Sequence, residues 1–128
     1  MRVQLGVAPR AVIRSLRMFQ CKTGASFEIF EYAREGASAI PPRNNSDVGG
    51  HHLAFYVEDM TAAVVYLKWH GITVQGDPVT MGAGPTKGLT WVYFLSPWGM
   101  QLELVSYPTG MVITKERPGI LWSPKDSR

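Results

Sequence analysis

Apolar positions along the chain recur with two different periods, and the changes between them mark the elements. In "AVIRSLRMFQC", residues 11–21, apolar and polar side chains alternate as in a strand: Leu16 and Met18 fall on one face, Ile13, Phe19 and Cys21 on the other. "KTGA" supplies a turn, with Gly24 free to take positive φ, and "SFEIFEYA" completes a β-hairpin. On that second strand Phe27, Ile29 and Glu31 share one face; Glu28, Phe30 and Tyr32 share the other. Residues 34–50, rich in Gly, Pro, Ser and Asn, read as a linker. "HHLAFYV" is a strand, after which the period changes to that of a helix in "EDMTAAVVYLKWHG". Asp59 is placed to cap it, Met60, Ala63, Val64 and Leu67 form an apolar stripe, and Gly71 suits the residue past its end. "ITVQG" reads as a short strand and "DPVTMGAGPTKG" as a loop; "LTWVYFLS" and "MQLELVSY" are strands joined by the turn "PWG". In the tail, 108–128, Val112, Ile113, Ile120, Leu121 and Trp122 are the residues expected to dock on the body.

The pattern spells an α+β fold in one domain over 1–128. A partial module, 11–33, precedes a complete βαβββ module, 51–107, and the sheet is expected to be curved and mostly antiparallel.

Composition narrows the function classes. The 128 residues are 45% hydrophobic and 18% charged, as in an ordinary globular domain. The net charge of +3 is not concentrated: Arg10, Arg14 and Arg17 are interleaved with apolar strand residues, which argues against a nucleic-acid surface. One cysteine, Cys21, precludes an internal disulfide and fits a reducing compartment. There is no apolar run long enough to span a membrane and no signal-peptide pattern, so a cytoplasmic protein is expected.

Three ionisable residues interrupt apolar strands. Glu28 lies between Phe27 and Ile29, His52 precedes Leu53, and Glu103 lies between Leu102 and Leu104. If the apolar neighbours pack on helices, period 2 turns Glu28, His52 and Glu103 to the opposite side, where a curled sheet would bring them together. Taken singly, each carboxylate reads equally well as a solvated strand residue. Taken together, two carboxylates and an imidazole are a ligand set for Zn, Ni, Co, Mn or Fe. His51 has the opposite parity and is expected to point away. His70 reads as a helix-end residue and Cys21 as a small strand hydrophobe.

"GGHHLAFYVEDMTAAVVYLKWHGITV" followed by "GLTWVYFLSPWGMQLELVSYP" resembles the vicinal oxygen chelate superfamily, the glyoxalase/bleomycin resistance/dioxygenase proteins. The matching features are His52 before an apolar strand, "V-x-D-M" opening the helix, "G-I-x-V" after it, and the closing "F-L-S-P-W-G-M-Q-L-E-L-V". "GASFEIFEY" is similar to the strand that ends the first module of such proteins. The resemblance implies a cup built from two βαβββ modules, with metal ligands on the first and last strands of each. Glu28, His52 and Glu103 match three of those positions. The first strand and helix of the N-terminal module, which would carry a fourth ligand, have no counterpart, so a shortened module is expected.

What the resemblance implies about activity is a metal-dependent lyase, isomerase or dioxygenase acting on a small molecule with two adjacent oxygens. Glu103 or Glu28 would shuttle the proton. The alternatives are a metal-free, drug-binding protein of the bleomycin-resistance type and an inactive remnant. Tyr32, Tyr56, Trp91 and Trp98 are the candidate lining of a small-molecule site. An uncovered strand edge beside Phe27 and Ile29 leads to the expectation of a homodimer.

Overall fold

The computed structural model describes residues 6–20, 25–36 and 41–117; Cys21, Ile120, Leu121 and Trp122 lie outside them. The described residues form two compact units, divided between residues 36 and 41.

The first unit is an antiparallel hairpin of β1 (Val12–Gln20) and β2 (Ser26–Ala33). Phe19 pairs with Phe27, their rings stacked at 5.1 Å, and Leu16 pairs with Phe30. The register slips between Ile13 and Ser15, leaving Arg14 as an extra residue. That bulge corrects the simple alternation. Ile13 pairs with Tyr32 and so joins the side of Leu16, rather than that of Phe19.

The second unit contains β3 (Leu53–Tyr56), α1 (Met60–Trp69), β4 (Val74–Thr80), β5 (Thr90–Leu95), β6 (Gln101–Ser106) and the short α2 (Val112–Glu116). Its four strands run in the order β3-β6-β5-β4, with β3 parallel to β6 and the other pairs antiparallel. This is the complete βαβββ module in a mostly antiparallel α+β fold. Helix α1 begins where its sequence directs. Asp59 is the N-cap, and its carboxylate accepts from the Ala62 N–H at 2.9 Å. At the other end Gly71 takes φ +72°, a left-handed conformation costly for any side chain.

The core lies between α1 and one face of the sheet. Met60 and Val64 of the helix meet Val92, Phe94 and Leu104, with Phe55, Val57, Ala63, Leu67 and Leu102 packed around them. The expected helix stripe therefore holds, and so does the expected strand parity in β3 and β6. Leu53 shares that parity but sits at the start of its strand and stays half exposed.

Strand β4 corrects the sequence reading, which ended it at Gly76. It continues through Asp77 and Pro78 to Thr80, with a register irregularity between Gln75 and Val79. Proline lacks a ladder donor, but β4 is an edge strand and Pro78 lies in the bulge, where none is needed. The tail docks as expected where it is described: the Val112 and Ile113 N–H groups donate to the carbonyls of Lys87 and Pro85, and Met111 is buried. Among the described residues no helix is long and apolar enough to cross a membrane.

Truncating Phe94 to Ala should therefore destabilise the second unit by about 3–5 kcal/mol, the cost of a core cavity. Leu53→Ala should cost under ~1 kcal/mol, as at exposed sites. Urea unfolding of the two variants measures both.

Candidate functional site

The side of the second sheet facing away from α1 carries its ionisable groups. Glu103, at the middle of β6, alternates with Leu102 and Leu104, which face the helix. Ala54 of β3 and Tyr93 of β5 are its cross-strand partners. His52 immediately precedes β3, two residues before Ala54, and its Nε2 lies 3.1 Å from Glu103 Oε2. The carboxylate side chain is only 13% exposed and the imidazole 34%, so this contact is partly shielded from water. A ring N–H donating to a carboxylate fixes the ring's tautomer and orientation.

Two aromatic rings extend the surface. Tyr93 meets the His52 ring edge-on at 5.1 Å, and Trp91 meets Tyr93 at 5.3 Å. Burial, and then the negative charge of Glu103, raise the Tyr93 phenol above the ordinary 10.0. It stays protonated through the neutral range, with an O–H to offer. Reasoning from sequence proposed Trp91 and passed over Tyr93. The signal was present: Tyr93 shares the parity of Trp91 and pairs with Glu103.

The other expected site residues are distributed as follows. Glu28 is exposed on β2, paired with Met18, and belongs to the first unit. Tyr32, in the same unit, stacks on Phe30 at 5.9 Å. Tyr56 pairs with Val105 and meets Tyr107 edge-on at 4.8 Å. Trp98, 59% exposed, belongs to the turn between β5 and β6. The His51 Nδ1–H donates to the Gly49 carbonyl at 3.2 Å. His70 caps α1, with Nδ1 2.8 Å from the Tyr66 carbonyl oxygen. Among the described residues no three His, Cys, Asp or Glu side chains cluster in a geometry that could hold a metal. The second unit brings two such groups together, His52 and Glu103.

Replacing Glu103 by Gln removes the charge that raises Tyr93, while the burial that raises it more remains. The Tyr93 ionisation, followed by difference absorbance of Tyr→Phe variants, should move down but stay above 10.0. In the native protein the stability linked to Tyr93 is fully present below pH 10.0 and declines as pH rises through the elevated value.

No family model matches the chain. A 2-epi-5-epi-valiolone epimerase from Actinomyces sp is 47% identical over 103 residues, which is 80% of this chain and 56% of that protein. The chain thus spans little more than half the length of this curated relative. Among solved structures, SMU.1112c superposes with a TM-score of 0.51 at 24% identity, over 76% of this chain and 80% of that one. A glyoxalase family protein from Enterococcus faecalis gives a TM-score of 0.48 at 24% identity, over 63% and 59%. The βαβββ module with its β3-β6-β5-β4 order has the glyoxalase-like α+β fold, and through its match to the epimerase and the motifs around His52 and Glu103 the chain is similar to the vicinal oxygen chelate proteins.

Proposed function

We propose that this chain is a glyoxalase-like enzyme of the isomerase type, which epimerises a small hydroxy ketone, a substrate with two adjacent oxygens. The observation that supports this reading is the His52–Glu103 contact at 3.1 Å, partly shielded and bordered by Tyr93 and Trp91, in a chain 47% identical to an epimerase. Epimerisation next to a carbonyl requires a base to remove the carbon-bound proton and an acid to return one to the other face. Glu103 is the base in this reading, held in place by the His52 ring. Its shielding keeps a water shell from blunting it. Tyr93 and Trp91 offer the substrate ring a flat apolar wall, and the Tyr93 O–H is placed to donate to a substrate oxygen.

His52 and Glu103 suit a divalent first-row ion, Zn, Ni, Co, Mn or Fe, as two of its ligands. Such an ion, if bound, would supply Lewis-acid stabilisation of charge developing on the substrate. A second copy of the chain completes the proposal. The hairpin leaves Leu16, Met18 and Phe19 between 41% and 64% exposed, and a two-stranded sheet is marginal without a cover.

His52→Ala should abolish stoichiometric metal uptake by the purified protein and lower kcat/KM by about 10²–10⁴. The matching His51→Ala should leave both nearly intact. Elemental analysis and solvent-deuterium incorporation into 2-epi-5-epi-valiolone supply the readouts. Equal losses in the two variants would sink the assignment. Ligand binding with neither metal nor deuterium incorporation would leave a binding protein instead.

A further inference from the structure

Away from the His52–Glu103 contact, the second unit holds a cleft of about 330 Å³ between the loop 41–50 and the turn that joins β5 to β6. Its lining is mostly apolar: Pro41, Pro42, Trp98 and Met100, with Arg43 and His51 as the polar groups. Small-molecule sites commonly start at about 300 Å³ and combine apolar walls with a few placed polar groups.

Both walls are built by local hydrogen bonds. In the loop, the Asp47 N–H donates to the Asn44 carbonyl at 3.0 Å, and the Gly50 N–H donates to that of Asp47 at 2.8 Å. The Asp47 carboxylate accepts from the Asn44 N–H at 3.0 Å. Gly50 is obligatory there, because a Cβ would sit 2.1 Å from the Asn44 carbonyl oxygen. In the turn, the buried Ser96 hydroxyl accepts from the Met100 N–H at 2.9 Å. A Cβ on Gly99 would stand 3.5 Å from Pro42, so the loop and turn approach closely. The cleft is therefore pre-formed, which lowers the ordering cost of binding.

Its charge is uncompensated. Among the described residues the Arg43 guanidinium makes no ion pair or hydrogen bond, whereas Asp47, in the same loop, is engaged with the backbone. The Arg43 stem lies over Gly49, with Cδ 3.8 Å from where a Cβ would be. One fork of N–H donors matches one carboxylate, and Trp98 beside prolines and a methionine matches a flat ring. Among the described lining residues Arg43 is the one guanidinium, and no lysine accompanies it.

From these observations we propose that the cleft between the loop 41–50 and the β5–β6 turn binds a small, flat-ring monocarboxylate, its carboxylate on Arg43 and its ring against Trp98. This site is separate from the proposed catalytic one: adjacent histidines of opposite parity divide the two, His51 lining the cleft and His52 meeting Glu103.

Calorimetric titration of the full chain with benzoate, and with neutral benzamide of the same shape, tests it. Benzoate is expected to bind the wild type and His52→Ala alike, with a millimolar Kd. Benzamide on the wild type, and benzoate on Arg43→Met, should each bind about tenfold more weakly. Arg43→Met keeps the stem over Gly49, and an unchanged circular dichroism melt shows that the fold is kept. Arg43→Lys should fall between the two, and Trp98→Leu should weaken benzoate and benzamide together. Equal binding of benzamide and benzoate to the wild type, or no effect of Arg43→Met, overturns the proposal. So does no benzoate binding at about ten times the expected Kd. Loss of benzoate binding in His52→Ala with retention in Arg43→Met would assign the carboxylate to the catalytic site instead, and the cleft would be ruled out.

Discussion

Strand β6 must satisfy two environments at once, and the rest of the second unit follows from how it does so. It lies between β3 and β5 and is paired along its length with β5. Leu102 and Leu104 turn toward α1, and Glu103 turns the other way. A slip of one residue would drive the carboxylate into the apolar core and expose both leucines. An unpaired charge in such a place costs far more than any single contact returns. The register that keeps the core dry is therefore the register that delivers Glu103 to His52 and Tyr93. Core and site are one constraint.

The two histidines show how closely that constraint acts. They are consecutive, carry the same chemistry and differ only in parity. His52 is delivered to Glu103 by the parallel pairing of β3 with β6, in which Ala54 stands opposite Glu103 and the Val57 N–H bonds to Val105. His51 is held instead by the Gly49 carbonyl, at the edge of the cleft under Trp98. A single backbone position separates the residue that meets Glu103 from the one that lines the cleft.

The hairpin of the first unit has the opposite economy. Its cross-strand pairs, Phe19 with Phe27 and Leu16 with Phe30, are well matched, yet several apolar side chains remain exposed. Within a unit of two strands there is too little surface to bury them. Its apolar content exceeds what the hairpin can use alone, and this is the physical basis for assigning it a cover.

Much of this was decided by the sequence itself. Helix α1 was legible from Asp59, the Met60–Ala63–Val64–Leu67 stripe and Gly71, because capping and a 3.6-residue period are local properties. The side taken by Glu103 was equally legible, because the alternation of β6 is local too. Other features depended on partners distant in the chain. That β4 runs on through Pro78 follows from its position at the sheet edge, and Ile13 changes sides because of a bulge that only the pairing with β2 reveals. Tyr93 entered the site through its register opposite Glu103, and the 3.1 Å approach of His52 came from a parallel pairing between strands some fifty residues apart. Period and capping are written in neighbouring residues; register and contact distance arise only when separate strands meet.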